Sequence, residues 1–113
     1  MSDLKALLEK LIYNTKINES AALARQIQRN IVAKLRAKGD KVRDLGVKQA
    51  PFRVLLGAQM PGVLIETGFI TNPEEEMRLN NAQFRQNLVR GISTGVESYM
   101  MESKTVAKVG ERS

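Results

Sequence analysis

Leu4, Leu7, Leu8, Leu11 and Ile12 recur at the three-and-four spacing of one helix face, behind Ser2 and Asp3, either of which can cap the start. The pattern predicts a short helix ending near Asn14. A second helix is better signalled. Asn18 serves as its N-cap, and Glu19 sits in the first turn, where the helix dipole favours a negative charge. Leu23, Ala24, Ile27, Ile31 and Leu35 then form one apolar stripe, with Arg25, Gln28 and Arg29 on the solvent face. Lys34, Arg36 and Lys38 crowd the last turn, and Gly39 offers a left-handed stop.

From 39 to 50 the chain is polar and of mixed charge, as expected of a surface loop. Two short apolar runs follow, at 52–56 and 63–69, with Gly57 and the Pro61-Gly62 pair between them. So short a connection predicts an antiparallel hairpin. Val63-Leu64-Ile65 does not alternate with polar residues, so this strand is expected to be covered on both faces. Asn72-Pro73-Glu74-Glu75 opens another helix with a capping side chain, a proline at the first helical position and acidic residues in the first turn; it should end near Leu79. Asn80 or Asn81 caps a longer helix that buries Phe84, Leu88, Ile92, Val96 and Tyr99. The expected fold class is α/β: a layered mixed sheet flanked by helices, here represented by two strands and about four helices. Residues 1–101 form the domain part and 102–113 a mobile polar tail. An isolated two-stranded hairpin is marginal in water, so the pattern calls for further strands that this sequence does not contain.

Composition narrows the chemistry. The 113 residues carry 18 Lys and Arg against 12 Asp and Glu, a net charge of +6 that favours anionic partners without choosing among them. Histidine and cysteine are absent. The usual nitrogen and sulfur ligands of zinc are therefore missing, as is any Ser-His or Cys-His nucleophilic pair. There is no signal-peptide-like apolar run behind Met1 and no stretch of about 18 apolar residues, so the sequence as written is expected to stay in the cytoplasm and not to span a membrane.

Glu66 ends the most apolar run of the sequence. By the period-two rule it shares a face with Leu64 and opposes Ile65. Two readings stay open on the residue alone: a carboxylate of a functional site at a strand end, or a glutamate that reaches water or pairs with an arginine. Other features read more plainly. Glu74, Glu75 and Glu76 suit a solvated helix N-terminus better than a metal site. Gly91 and Gly95 suit close packing against the sheet. The cluster of Lys34, Arg36, Lys38, Lys41 and Arg43 has no interleaved aromatics and no recognition motif, so no nucleic-acid partner is expected.

The segment Ala50-Pro51-Phe52-Arg53-Val54-Leu55, continued by Met60-Pro61-Gly62-Val63-Leu64-Ile65-Glu66-Thr67-Gly68-Phe69-Ile70-Thr71-Asn72-Pro73-Glu74-Glu75, resembles the closing region of the zinc-dependent N-acetylmuramoyl-L-alanine amidases. Asn18-Glu19-Ser20 with Leu23-Ala24 and Ile27-Gln28 is similar to the helix before it, and Phe84-Arg85-Gln86 through Gly91-Ile92 to the closing helix. The resemblance implies a hydrolase that cuts the amide between N-acetylmuramic acid and L-alanine in peptidoglycan. It implies a zinc held by two histidines and a glutamate, with a second glutamate, matching Glu66, as the general base. It also implies that the metal ligands belong to a preceding half and that this chain alone is inactive. For the full-length family it implies a periplasmic or cell-envelope location and, in some members, an activator protein. The alternative is a non-catalytic basic module that binds an anionic polymer or a helical partner.

Overall fold

The computed structural model describes residues 2–49, 60–68 and 72–112, with side chains through Thr105. Three helices make up its regular structure: α1, Ser2–Ala37; α2, Pro73–Asn80; and α3, Ala82–Arg112. The core lies between the C-terminal half of α1 and the N-terminal half of α3, which run antiparallel. Ile27, Ile31 and Leu35 of α1 are buried with Phe84 of α3. Leu23, Leu88, Ile92 and Val96 extend the contact, and Val42, Ile65 and Leu79 close it from the connecting segments and α2. The stripe of Leu23, Ile27, Ile31 and Leu35 and that of Phe84, Leu88, Ile92 and Val96 are thus the faces that meet.

Two glycines determine how closely they meet. Gly91 and Gly95 are buried, one helical turn apart on α3, and face the backbone of α1. A Cβ on Gly91 would stand 2.7 Å from the Ile31 Cα, and one on Gly95 would stand 2.5 Å from the Ile27 Cα. Both distances are too short for any side chain, and the obstruction is main chain, which cannot swing aside. The close packing expected of this pair is therefore against a helix and not against a sheet.

The expected layered α/β fold is not what forms: among the described residues there is no strand. The run 52–56 and residues 69–71 lie outside the described residues. Positions 61–68 belong to no helix and no ladder. A strand exists only where a neighbour takes its N–H and C=O groups, and here Gly62 donates its N–H to the side-chain oxygen of Ser20 on α1, at 3.0 Å. The sheet-based argument for further strands loses its footing with the sheet.

The two N-terminal helices expected from the sequence are one. Between Asn14 and Glu19 stands no glycine or proline to stop the helix. Thr15 turns its hydroxyl back to the Leu11 carbonyl at 2.9 Å, so Asn18 is interior and caps nothing. The end of α1 is as read. Gly39 has φ of 89°, its N–H donates to the Arg36 carbonyl at 3.1 Å, and the Asp40 N–H donates to the Leu35 carbonyl at 3.0 Å. This is the paired closure of a left-handed C-terminal stop. Asn72 caps α2, accepting from the Glu74 and Glu75 N–H groups at 3.0 and 3.3 Å. Asn81 caps α3 through the Phe84 N–H at 3.1 Å. Helix α3 continues to Arg112, past the end near Met101 that the polar tail suggested.

The N-terminal half of α1 stands apart. Leu4, Leu7, Leu8 and Leu11 form a continuous apolar stripe, yet each is at least half exposed. Helicity there rests on local propensity and on continuity with the packed half.

Two mutational outcomes follow from this packing. Gly95→Ala should lower unfolding stability by about 1–3 kcal/mol in denaturant titration, because overpacking against backbone exceeds the gain of up to ~1 kcal/mol in helix propensity. Leu35→Ala should cost about 2–5 kcal/mol and Leu7→Ala less than about 0.5 kcal/mol, since the first is 3% exposed and the second 55%.

Candidate functional site

The segment 60–68 carries the one carboxylate that the sequence singled out. Its position is set by two anchors. Ser20 holds the Gly62 N–H, and Ile65 packs against the core of α1 and α3. Ile65 turns inward, whereas Leu64, 43% exposed, Glu66 and Thr67 are exposed, so the run is not covered on both faces as its apolar pattern suggested. Glu66 therefore presents its carboxylate to solvent from a short anchored segment and is not enclosed among apolar side chains.

Gly68 brings the segment after Glu66 close to α2. Its φ of 146° lies where residues with a side chain are strained, and an added Cβ would stand 3.3 Å from the Glu75 Cβ. An added side chain there would meet Glu75 and Leu79 of α2. Glu74 and Glu76 are exposed beside the amide nitrogens of that turn, as a helix N-terminus favours.

The donor set does not suit zinc. The whole chain contains neither histidine nor cysteine, and among the described residues no three of His, Cys, Asp and Glu come together to hold a metal ion. What this segment offers chemically is one exposed carboxylate, that of Glu66.

Several positioning residues carried no functional signal in the sequence. Ser20 is an ordinary helical serine until the fold brings Gly62 to it. Asn87 lies on the inward face of α3 between Phe84 and Gly91, is 1% exposed, and accepts a hydrogen bond from Gln83 at 3.2 Å. Gln26 reaches Glu102 at 2.7 Å and ties the middle of α1 to the distal part of α3.

The segment 41–49 is held along α1 by a second set of contacts. Arg36 donates to the Val42 carbonyl from Nε and Nη2, at 3.4 and 3.2 Å, and Arg78 of α2 donates to the Lys41 carbonyl at 3.1 Å. Asp44 Oδ1 accepts from Gln28 Nε2 and from the Gly46 N–H, both at 2.9 Å. These donors, the Gln28 amide first and the Gly46 N–H next, with Arg36 adding charge, hold the Asp44 carboxyl below its ordinary value. The tether they form is complete above the usual aspartate range, near pH ~3.9, and is lost as pH falls through the lowered value.

Comparison with known proteins places these features in a family context. The family profile described as N-acetylmuramoyl-L-alanine amidase matches residues 9–98. N-acetylmuramoyl-L-alanine amidase AmiA of Escherichia coli strain K12 is 35% identical over 98 residues, 87% of this chain and 34% of that protein. N-acetylmuramoyl-L-alanine amidase LytC of Bacillus subtilis strain 168 is 40% identical over 80 residues, covering 71% of this chain and 15% of the relative. The uncharacterized protein YqiI of the same strain is 39% identical over 80 residues, 71% of this chain and 36% of its own length. The chain thus spans about a third or less of these relatives, and no solved structure matches it.

In a carboxyl-carbon NMR titration, Asp44 should show a midpoint below the ordinary aspartate range. Gln28→Ala should move it upward, because that change removes the largest contribution.

Proposed function

The chain belongs to the N-acetylmuramoyl-L-alanine amidase family, and from that membership we propose that it is the C-terminal part of a peptidoglycan amidase and contributes Glu66 as the general base. The reading is carried by one observation. Glu66 lies within the matched residues 9–98 and is held out to solvent by a segment anchored at Ser20 and Ile65.

The reaction is hydrolysis of the amide between the lactyl group of N-acetylmuramic acid and L-alanine. Glu66 removes a proton from the attacking water as its oxygen bonds to the carbonyl carbon. It then delivers that proton to the alanine nitrogen as the carbon–nitrogen bond breaks. One carboxylate suffices for both transfers, and it ends in the state in which it began. The anchors serve this role by fixing the segment on which the carboxylate sits.

The family is zinc-dependent, but the residues of this chain do not make a zinc site, and no step is assigned to the metal here. The reading gives this chain the proton-transfer group and its support, and gives the metal donors to protein outside these 113 residues. The chain alone is then inactive toward peptidoglycan. An envelope location and control by an activator protein belong to the same reading and concern the longer protein. No described helix is long and apolar enough to cross a membrane.

The test joins this chain to the remaining portion of an amidase relative and measures release of peptide from peptidoglycan in the presence of zinc. Glu66→Gln should lower turnover about 10²–10⁴-fold with bound zinc unchanged. Hydrolysis at the parent rate by that variant would overturn the assignment. The 113-residue chain alone should release nothing.

A further inference from the structure

The positive charge of this chain is not spread over it. Residues 25–48 hold eight Lys and Arg against two Asp. Three basic and three acidic residues precede that stretch, and seven of each follow it. The entire net charge of +6 therefore sits in 24 consecutive residues, the C-terminal half of α1 and the segment packed beside it.

The fold turns this stretch into a groove. Its open volume is about 700 Å³, with one wall formed by α1 and the other by Asp44, Gly46 and Val47. Arg25, Arg29 and Arg36 line it. Steps of four and seven residues keep all three within about 40° on the helix surface, and they span about 16.5 Å along the axis. Arg25 and Arg29 are exposed and take no hydrogen-bond or ion-pair partner among the described residues. Arg36 is pinned to the Val42 carbonyl and keeps Nη1 for a ligand. The floor between them is Val32 and Ala33. Asp44, the acidic residue of the groove, has Oδ1 occupied by Gln28 and the Gly46 N–H.

We propose that this groove binds a linear polyanion of phosphodiester-linked polyols, laid along α1 with neighbouring phosphates on Arg25 and Arg29 and a later one on Arg36. Guanidinium groups engage phosphate oxygens through paired N–H donors. Three backbone bonds of an extended chain span at most ~3.3–3.6 Å. A three-carbon polyol phosphate, with six bonds per repeat, thus advances at most about 7 Å, close to the roughly 6 Å rise from Arg25 to Arg29, and two repeats cover the roughly 10.5 Å from Arg29 to Arg36. Single-stranded nucleic acid fits less well, because the stretch 25–48 contains no aromatic side chain on which a base could stack. An acidic peptide would lay unpaired backbone N–H and C=O groups on the apolar floor. The binding is independent of Glu66 and of hydrolysis.

The test titrates fluorescently labelled poly(glycerol phosphate) with the 113-residue chain and follows anisotropy at about 50 and 200 mM salt. With three phosphate contacts, affinity should fall about 20-fold across that range. Arg25→Gln with Arg29→Gln should weaken binding at least tenfold, whereas Arg25→Lys with Arg29→Lys should retain more of it. Circular dichroism confirms that the helices persist, as these side chains are exposed. Absence of binding at the lower salt would overturn the proposal, as would an unaffected double glutamine variant. Equal or tighter binding of oligothymidylate, poly-L-glutamate or anionic vesicles would also overturn it, by assigning the groove to another class of partner.

Discussion

The described structure depends on a backbone-to-backbone approach between α1 and α3 at Gly91 and Gly95. With no Cβ at either position, α3 settles directly onto the main chain at Ile31 and Ile27. That proximity lets Ile27, Ile31, Leu35 and Phe84 close into a buried cluster despite the small number of large side chains available. The remaining elements are placed from this contact outward. Leu79 brings α2 against the cluster, Val42 brings the segment after α1, and Ile65 brings the segment that carries Glu66.

The candidate site and the basic groove lie on different surfaces of this helix pair and draw on it differently. Glu66 is presented by a segment whose inward residue belongs to the core, so disturbing the glycine contact would also disturb the carboxylate's position. The arginines of the groove belong to α1 itself, and their spacing is a property of the helix. Only the second wall of the groove needs tertiary contacts, through Arg36, Gln28, Asp44 and Arg78. A chain with weakened packing would thus keep its row of positive charge while losing the order around Glu66.

The exposed leucines of α1 show where local pattern and burial part company. Leu4, Leu7, Leu8 and Leu11 have the periodicity of a buried face, and so have Leu23, Ile27, Ile31 and Leu35. Only the second set meets a partner, because α3 offers its glycines opposite Ile27 and Ile31. Amphipathic spacing records that a face can be buried; which face is buried depends on what comes against it.

The caps at Asn72 and Asn81, the stop at Gly39 and the inward stripes of Leu23 to Leu35 and of Phe84 to Val96 were legible in the sequence, because each is decided by residues within a few positions of one another. Family membership was legible for a related reason, since the stretch around Glu66 is long and specific. The number of helices was not, as Asn18 has the chemistry of a cap and only the unbroken hydrogen-bonding of Asn14 to Glu19 makes it interior. The sheet was misread because an apolar, β-branched run resembles a strand, whereas a strand is formed by its neighbour, and the described neighbour of Gly62 is a serine on α1. The same holds for the contact at Gly91 and Gly95: the spacing announced close packing, and only the tertiary structure decided that the surface approached was a helix.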